Sequence, residues 1–303
     1  MLRSTILYLS RQATLRKWVE TSAAARRFST RFVAGNSLDD AIAVCRRVYS
    51  EGITATLDYL GENVTSLDEA AVCRDMYLRM LTAMRRAGLE PNVSLKLTQF
   101  GLDLSAPACE ENVGALVEAA ASVGGFVRID MESSQYTDRT LALVRSLHRK
   151  HAACGTVIQA YLRRSAADIR LLENHRIRVR LCKGAYLENH QVAFPAKSDV
   201  DRNYVDLAQS LLTNGEYPAI ATHDEKIIKA IERYAAEKGI ARDRFEFQML
   251  YGIRRDLQRR LVRDAYRLRL YIPFGEAWYP YFMRRLAERP ANLLFFLRHA
   301  LRS

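Results

Sequence analysis

The chain has 303 residues, 49% of them hydrophobic, and a formal net charge of +12 at pH 7. Such a chain can bury a sizeable core, which argues against disorder, and it contains no run of about 18 apolar residues that could span a bilayer as a helix. Five scattered cysteines without a CxxC pair argue against a disulfide framework or a zinc site and favour reduced thiols in a cytosolic protein.

The amino-terminal 38 residues are basic, with a single acid, Glu20. Their composition resembles a transit peptide, but the apolar groups ILYL and WV also predict one or two amphipathic helices. We expect a helical segment over residues 1–36 that is an integral part of the protein. Because no linker rich in Pro, Gly or Ser follows, residues 37–303 are expected to form one domain.

From about residue 53, short β-rich runs alternate with longer amphipathic segments such as DRTLALVRSLHRKH. The runs are TATLDYL (54–60), NVSLKLT (92–98), FVRIDME (126–132), TVIQAYL (156–162), IRVRLCK (177–183), PAIATH (218–223), RFEFQML (244–250) and LRLYIPF (268–274). Strand followed by helix eight times predicts a parallel α/β fold. Eight units, without a GxGxxG loop after the first strand, favour a closed (β/α)8 TIM-like barrel over an open sheet.

Long polar side chains lie at the ends of most of these runs. They are Lys96, Asp130, Gln159, Arg180 with Lys183, His223, Gln248 and Tyr271. Because the carboxyl ends of barrel strands form one mouth where ligands bind, the set predicts a large ligand with many hydrogen-bonding atoms. The alternation in VSLKLT points Lys96 towards the barrel axis, with Asp130 as its expected counter-ion. A purely structural buried ion pair is the alternative.

The segment EAWYPYFMRRLAERPAN is predicted to be a helix near the end of the chain. It places Tyr281, Arg284, Arg285 and Glu288 on one face, at i, i+3, i+4 and i+7. Adjacent guanidinium groups can bind a carboxylate in bidentate geometry. The pattern alone leaves open whether this face is a carboxylate clamp or the solvated side of an outer helix.

Six segments together resemble the proline dehydrogenase family, most closely its compact monofunctional prokaryotic members. They are SLKLTQFG, VRIDMESS, RVRLCKGAYLE, ATHD, FEFQMLYGIR and YIPFGEAWYPYFMRRLAERPAN. The resemblance extends from about Phe32 to Arg298. It implies a (β/α)8 barrel with FAD bound without a covalent link at the mouth, below the last barrel helix. It also implies oxidation of L-proline to Δ1-pyrroline-5-carboxylate.

The resemblance assigns the substrate site residue by residue. It implies that Lys96, Arg284 and Arg285 bind the proline carboxylate and that Glu288 orients the arginine pair. Glu62 is expected to pair with Arg284 as a gate for substrate. The residues expected to enclose the pyrrolidine ring are Tyr186, Leu250, Tyr271 and Tyr281.

For the flavin, the resemblance places Arg180 beside N5 and Gln159 at the edge of the isoalloxazine. The other expected cofactor contacts are Lys183, Gly184, Ala185 and His223. Asp130 is expected to hold Lys96 or the hydrogen-bond network around the flavin, without acting as an obligatory base. No metal is expected. The residues that we expect to support catalysis are Lys96, Asp130, Arg180, Tyr271, Arg284 and Arg285.

The basic carboxyl-terminal part is the remaining unusual feature, with twelve arginines against four acids from residue 253 onward. It is either a solvated basic face or a surface for an anionic partner. With the family resemblance, we expect a cytoplasmic protein in peripheral contact with the inner face of the cell membrane. We expect a membrane quinone as electron acceptor and a separate pyrroline-5-carboxylate dehydrogenase downstream. Nucleic acid is not expected, because motifs with interleaved aromatics are missing.

Two other classes of protein remain compatible with the residues. One is a Schiff-base aldolase on the same barrel, with Lys96 or Lys183 as the nucleophile. The other is a basic scaffold that binds membrane or nucleic acid through its arginines, in a strongly salt-dependent way and without a cofactor.

Overall fold

A computed structural model describes residues 30–61 and 64–278 of the chain. Within them, eight parallel strands form a closed barrel in which spatial order follows chain order. The strands are β1 (Thr54–Tyr59), β2 (Asn92–Leu95), β3 (Phe126–Ile129), β4 (Cys154–Gln159), β5 (Arg178–Cys182), β6 (Ala219–Ala221), β7 (Glu246–Leu250) and β8 (Leu268–Phe274). The predicted (β/α)8 barrel is confirmed, and each strand lies within or beside its predicted run.

Eight α-helices are described, one before β1 and one in each connection between consecutive strands. They are α1 (Leu38–Ser50), α2 (Leu67–Arg86), α3 (Ala106–Ser122), α4 (Thr137–Lys150), α5 (Ser165–Asn174), α6 (Lys197–Asn214), α7 (Glu225–Glu237) and α8 (Arg255–Arg263). Of these described helices, none is long and apolar enough to cross a membrane.

Helix α1 covers the seam where the barrel closes. It begins with a capping box, in which the Ser37 side chain accepts from the backbone N–H of Asp40 and the Asp40 side chain accepts from that of Ser37. It packs against both β1 and β8, whose register runs from Thr54 beside Arg269 to Tyr59 beside Phe274. The helix that precedes the first strand therefore covers the closing pair.

Residues 30–37 run as turns and extended chain along the carboxyl end of β8. The amide of Ala34 donates to the carbonyl of Pro273 (2.8 Å), and the amide of Gly275 donates to that of Gly35 (2.9 Å). The backbone of Arg31 lies so close to Gly252 that any β-carbon at Gly252 would overlap it. The helical segment predicted over residues 1–36 lies outside the described residues as far as residue 29.

The apolar core lies between the strands and the surrounding helices. Leu57, Leu95 and Ile129 are completely buried there, and burying an aliphatic side chain of this size contributes about 1.5–3 kcal/mol. The interior of the barrel is polar instead. Its strands direct Arg128, Arg180, Glu246, Gln248 and Arg269 to buried positions, so the two faces of the strands have opposite chemistry.

Candidate functional site

Arg180, on β5, is the centre of the barrel mouth. The residue is only 6% exposed, and its guanidinium donates to the Gln248 carbonyl oxygen (2.6 Å), to Asp130 Oδ1 (2.8 Å) and to Ser94 Oγ (2.8 Å). A guanidinium has five N–H donors, and only three are used by residues in the described part of the chain.

Asp130 and Tyr271 complete this centre from β3 and β8. Asp130 Oδ1 accepts from Arg180, while Oδ2 accepts from the Tyr271 hydroxyl at 3.0 Å. The Tyr271 ring lies beneath the Arg180 guanidinium, with 5.3 Å between the ring centroid and Cζ. The Asp130 carboxylate therefore balances the charge of Arg180, and the contacts among the three side chains hold them in one orientation.

Lys96, just beyond β2, is paired with Asp58 on the neighbouring strand β1. Its Nζ lies 3.4 Å from Asp58 Oδ1, and the two side chains are 13% and 0% exposed. We expected Asp130 to be the counter-ion, and this expectation is corrected. Asp130 is held by Arg180 at 2.8 Å, whereas Asp58 comes from the strand next to β2. Two roles were predicted for Asp130, and the structure shows one of them. Asp130 belongs to a hydrogen-bond network with Arg180 and Tyr271.

Asp58 was missed from the sequence, although it is the one charged residue in the run TATLDYL. The buried phenol of Tyr77 supports it, with its hydroxyl 3.4 Å from Asp58 Oδ1 and donating to the carbonyl of Ser94 at 2.8 Å. Burial first, and then the Asp58 charge, hold the pKa of Tyr77 well above its usual value. Tyr77 therefore stays a hydrogen-bond donor next to the Lys96–Asp58 pair.

The loop after β5, predicted to contact the cofactor, lies against the end of β4. Gln159 Oε1 accepts from the amide of Ala185 (3.2 Å), and its Nε2 donates to the carbonyl of Glu132 (2.8 Å). Gly184 has φ +123°, and a β-carbon there would overlap the Tyr161 ring. Only glycine fits this position, because the Tyr161 ring occupies the space that a side chain would need.

Lys183, predicted to bind cofactor, is held by two carboxylates. Its Nζ lies 2.5 Å from Asp201 Oδ1 on α6 and 2.9 Å from Asp224 Oδ2 at the start of α7. Burial alone would raise the pKa of Asp224, but the hydrogen bond and charge of Lys183 outweigh it and lower that pKa. Two of the three Lys183 donors are thus engaged in joining β5 to α6 and α7.

His223 and Leu250 are joined across the ends of β6 and β7. The Leu250 amide donates to His223 Nε2 at 3.0 Å, so that nitrogen carries no proton. This bond fixes the imidazole ring at the mouth and the backbone of Leu250, a predicted wall of the substrate site.

Glu188 is a second residue near the mouth that the sequence did not indicate. It accepts from the backbone N–H of Ser134 (2.7 Å) and from the Ser134 hydroxyl (2.6 Å). The loop that carries Tyr186 is thereby tied to the turn that follows β3. Tyr186, predicted to contact the substrate ring, is half-buried and precedes Glu188 by two residues.

The predicted carboxylate clamp and gate fall on residues that the structure does not describe. These are Glu62, Tyr281, Arg284, Arg285 and Glu288. Their assigned roles remain predictions that rest on the family resemblance.

Fold and site together define a (β/α)8-barrel enzyme whose mouth is lined by ion-paired lysine and arginine side chains. The sequence profile described as proline dehydrogenase matches residues 41–298. Proline dehydrogenase 1 of Bacillus subtilis (strain 168) is 41% identical over 302 residues, which cover 100% of both chains. The proline dehydrogenase of Deinococcus radiodurans is 42% identical over 277 residues, 90% of this chain and 89% of that one.

The chain belongs to the proline dehydrogenase family, whose members are flavoprotein oxidoreductases. A solved structure of proline utilization A (PutA) from Bdellovibrio bacteriovorus, inactivated by N-propargylglycine, agrees with the fold. Its TM-score is 0.81 at 28% identity, over 86% of this chain and 32% of that chain. The present chain therefore spans about a third of that longer protein.

Proposed function

We propose that the protein catalyses the FAD-dependent oxidation of L-proline to Δ1-pyrroline-5-carboxylate, the first step of proline catabolism. The observation that carries the proposal is the buried Arg180 guanidinium, fixed by three side chains. Such a group is suited to stabilise negative charge that develops on a bound cofactor.

The residues at the mouth fit a flavin. Gln159 has its amide orientation fixed by Ala185 and Glu132, and the Arg180 guanidinium is held in place by Gln248, Asp130 and Ser94. Gln159, Ala185 and Arg180 would hold FAD, and the chemistry that the cofactor would supply is acceptance of a hydride from the ring carbon beside the proline nitrogen. In this arrangement Arg180 stabilises the charge that follows, while Asp130 balances Arg180 and sets its orientation.

The described residues also fit part of a proline site. Proline has one carboxylate and one amine on an apolar ring, so cationic groups and aromatic walls suit it. Lys96 supplies a cation held in place by Asp58, and Tyr271 supplies a ring whose hydroxyl is held by Asp130. In the proposal, Arg284 and Arg285 complete the carboxylate clamp.

Anaerobic addition of L-proline to the purified protein tests this function. We expect a yellow protein whose flavin absorbance bleaches with L-proline and does not bleach with glycine, which lacks the ring. A colourless protein, or one whose flavin does not respond to proline, would contradict the proposal. Borohydride trapping of a carbonyl substrate separates the aldolase alternative, which the ion-paired states of Lys96 and Lys183 disfavour.

We further propose that the electrons pass to a membrane quinone, with the protein cytoplasmic and peripherally bound to the inner face of the membrane. A separate pyrroline-5-carboxylate dehydrogenase would then consume the product. The arginine-rich carboxyl-terminal part supports attraction to anionic lipid. We expect co-sedimentation with anionic vesicles that decreases with salt and is absent with neutral vesicles. Absence of binding to anionic vesicles at low salt would contradict the membrane proposal and leave the proline proposal intact.

A further inference from the structure

A continuous series of charged and amide side chains runs through the barrel interior and ends at Arg180. We call it the axial chain: Glu90, Arg269, Glu246, Gln248 and Arg180. Arg269 donates to both oxygens of Glu90 at 3.1 Å and to Glu246 Oε1 at 3.0 Å. Gln248 Nε2 donates to Glu246 Oε1 (2.5 Å), and Gln248 accepts from Arg180 Nε (2.6 Å).

The axial chain joins the two ends of the barrel. The Glu90 side chain, just before β2 at the amino end, is 45% exposed, whereas Glu246 and Gln248 are 3% and 4% exposed. Barrel interiors are usually filled by branched apolar side chains. Buried charges carry a large desolvation cost and are often no more stabilising than an apolar filling of the same volume. Stability alone is therefore a weak reason for this polar interior.

The Arg269–Glu246 pair is a fixed anchor in the middle of the barrel. Burial would lower the pKa of Arg269, but the charges of Glu246 and Glu90 outweigh it and raise that pKa. Burial would likewise raise the pKa of Glu246, but Arg269 outweighs it and lowers that pKa. Both groups therefore stay charged, and each holds the other in place.

Gln248 links this anchor to Arg180 in one orientation only. Its oxygen faces a guanidinium donor and its NH2 faces a carboxylate acceptor. A flipped amide would place N–H against N–H on one side and oxygen against oxygen on the other. The plane of the Arg180 guanidinium is thus set from below by Gln248, and from the sides by Asp130 and Ser94.

We propose that Gln248 is a positioning residue, which holds Arg180 at the angle that stabilises the reduced flavin and so raises the reduction potential of the cofactor. Gln248 acts through Arg180 and does not itself need to touch substrate. This inference rests on the proposed flavin-dependent function.

Gln248→Met tests it, because methionine keeps the length of the side chain and removes both hydrogen bonds. We expect kcat to fall about tenfold, the scale of one hydrogen bond to a charged group, with the KM for proline changed less than about twofold. We also expect the equilibrium constant for two-electron reduction of the flavin to fall about tenfold, a shift of about 30 mV to lower potential. A purely structural role would not move the potential.

Asn112→Leu is the matched control, since it removes a buried amide outside the barrel. Asn112, on α3, accepts from Arg74 at 3.1 Å and is 8% exposed. We expect its flavin potential and kcat to equal those of the wild type. Gln248→Asn is a milder second variant, which keeps the amide but is too short to reach both partners, and we expect its potential to fall in the same direction.

The flavin reduction potentials of the wild type and the Gln248 variants decide whether the inference holds. If the wild type binds flavin and oxidises proline, but both Gln248 variants keep its potential and kcat, the positioning role is wrong and the proposed function stands. If Gln248→Met does not fold, an unchanged potential in Gln248→Asn overturns the inference equally. A wild-type protein whose flavin proline does not reduce would refute the proposed function itself.

Discussion

Neighbouring residues on the barrel strands lie in two regions of opposite chemistry. Leu57 and Leu95 are fully buried in the apolar layer between strands and helices. The residues next to them in sequence, Asp58 and Ser94, lie on the other face of the same strands, where each is held by specific polar partners. Apolar contacts are non-directional, and cores tolerate swaps of similar volume. The polar interior depends on pairs, so a single change there leaves a partner without its counterpart.

The largest effect is expected for Arg180→Met, which removes a cation from the mouth and leaves Asp130 without it. We predict a loss in kcat/KM of about 10²–10³-fold, the scale for removing one donor that stabilises developing charge. Steady-state kinetics with proline measure it. The control Arg164→Met removes a surface arginine that pairs with Asp138 and Asp168. We expect the control to retain wild-type kinetics, and equal loss in both variants would contradict the special role of Arg180.

The two regions can be compared directly at adjacent positions. Asp58→Leu removes the carboxylate that holds Lys96 in a nearly dry site, and we predict a loss of about 3–5 kcal/mol in the free energy of unfolding. Leu57→Ile keeps apolar volume in the outer layer, and its cost is predicted to be about 1 kcal/mol. Urea unfolding followed by circular dichroism measures both. Similar losses in the two variants would mean that the regions do not differ in this way.

The carboxylate of Asp224 gives a smaller, pH-dependent effect. Lys183 lowers the pKa of Asp224 below its ordinary value of 3.8. The pair therefore contributes stability that is fully present above pH 3.8 and is lost as the pH falls through the lower folded value. We predict that Asp224→Asn is less stable than the wild type at pH 7 and that the difference shrinks towards pH 3. Thermal unfolding across this range tests it, and a difference independent of pH would exclude the ion pair as its source.

The smallest effect is expected for Ser134→Ala, at the hydrogen bonds between Ser134 and Glu188 that join two loops of the mouth. The variant loses the hydroxyl bond to Glu188 but keeps the backbone N–H bond to the same carboxylate. We predict a rise in the KM for proline of about two- to fivefold, equivalent to roughly 1 kcal/mol or less. Ser146→Ala, which removes a comparable bond to Glu110 on the outer helices, should leave KM unchanged. A larger rise in KM in the Ser146→Ala control would mean that the effect comes from a general loosening of the structure and not from the Ser134–Glu188 bond.

The sequence predicted the strands well because alternation and length mark each of them, as in the match of LRLYIPF to Leu268–Phe274. It also predicted that long polar groups at the strand ends meet, and the structure brings Arg180 together with Asp130 and Gln248. It did not pair Lys96 correctly. That pairing depends on which strands are neighbours and on their register, here Leu57 beside Val93, and a one-dimensional pattern does not contain register. Glu188 was missed for a related reason, since loop-to-loop contacts have no periodicity.

The covering of the barrel seam by α1 has a consequence for synthesis on the ribosome. The bond between Ala34 and Pro273 joins segments that leave the exit tunnel at nearly opposite times. The helix packs on both β1 and β8, so its complete packing surface exists only after β8 has paired with β1. We therefore expect closure of the seam to come late in folding, after the segment that forms β8 has been synthesised.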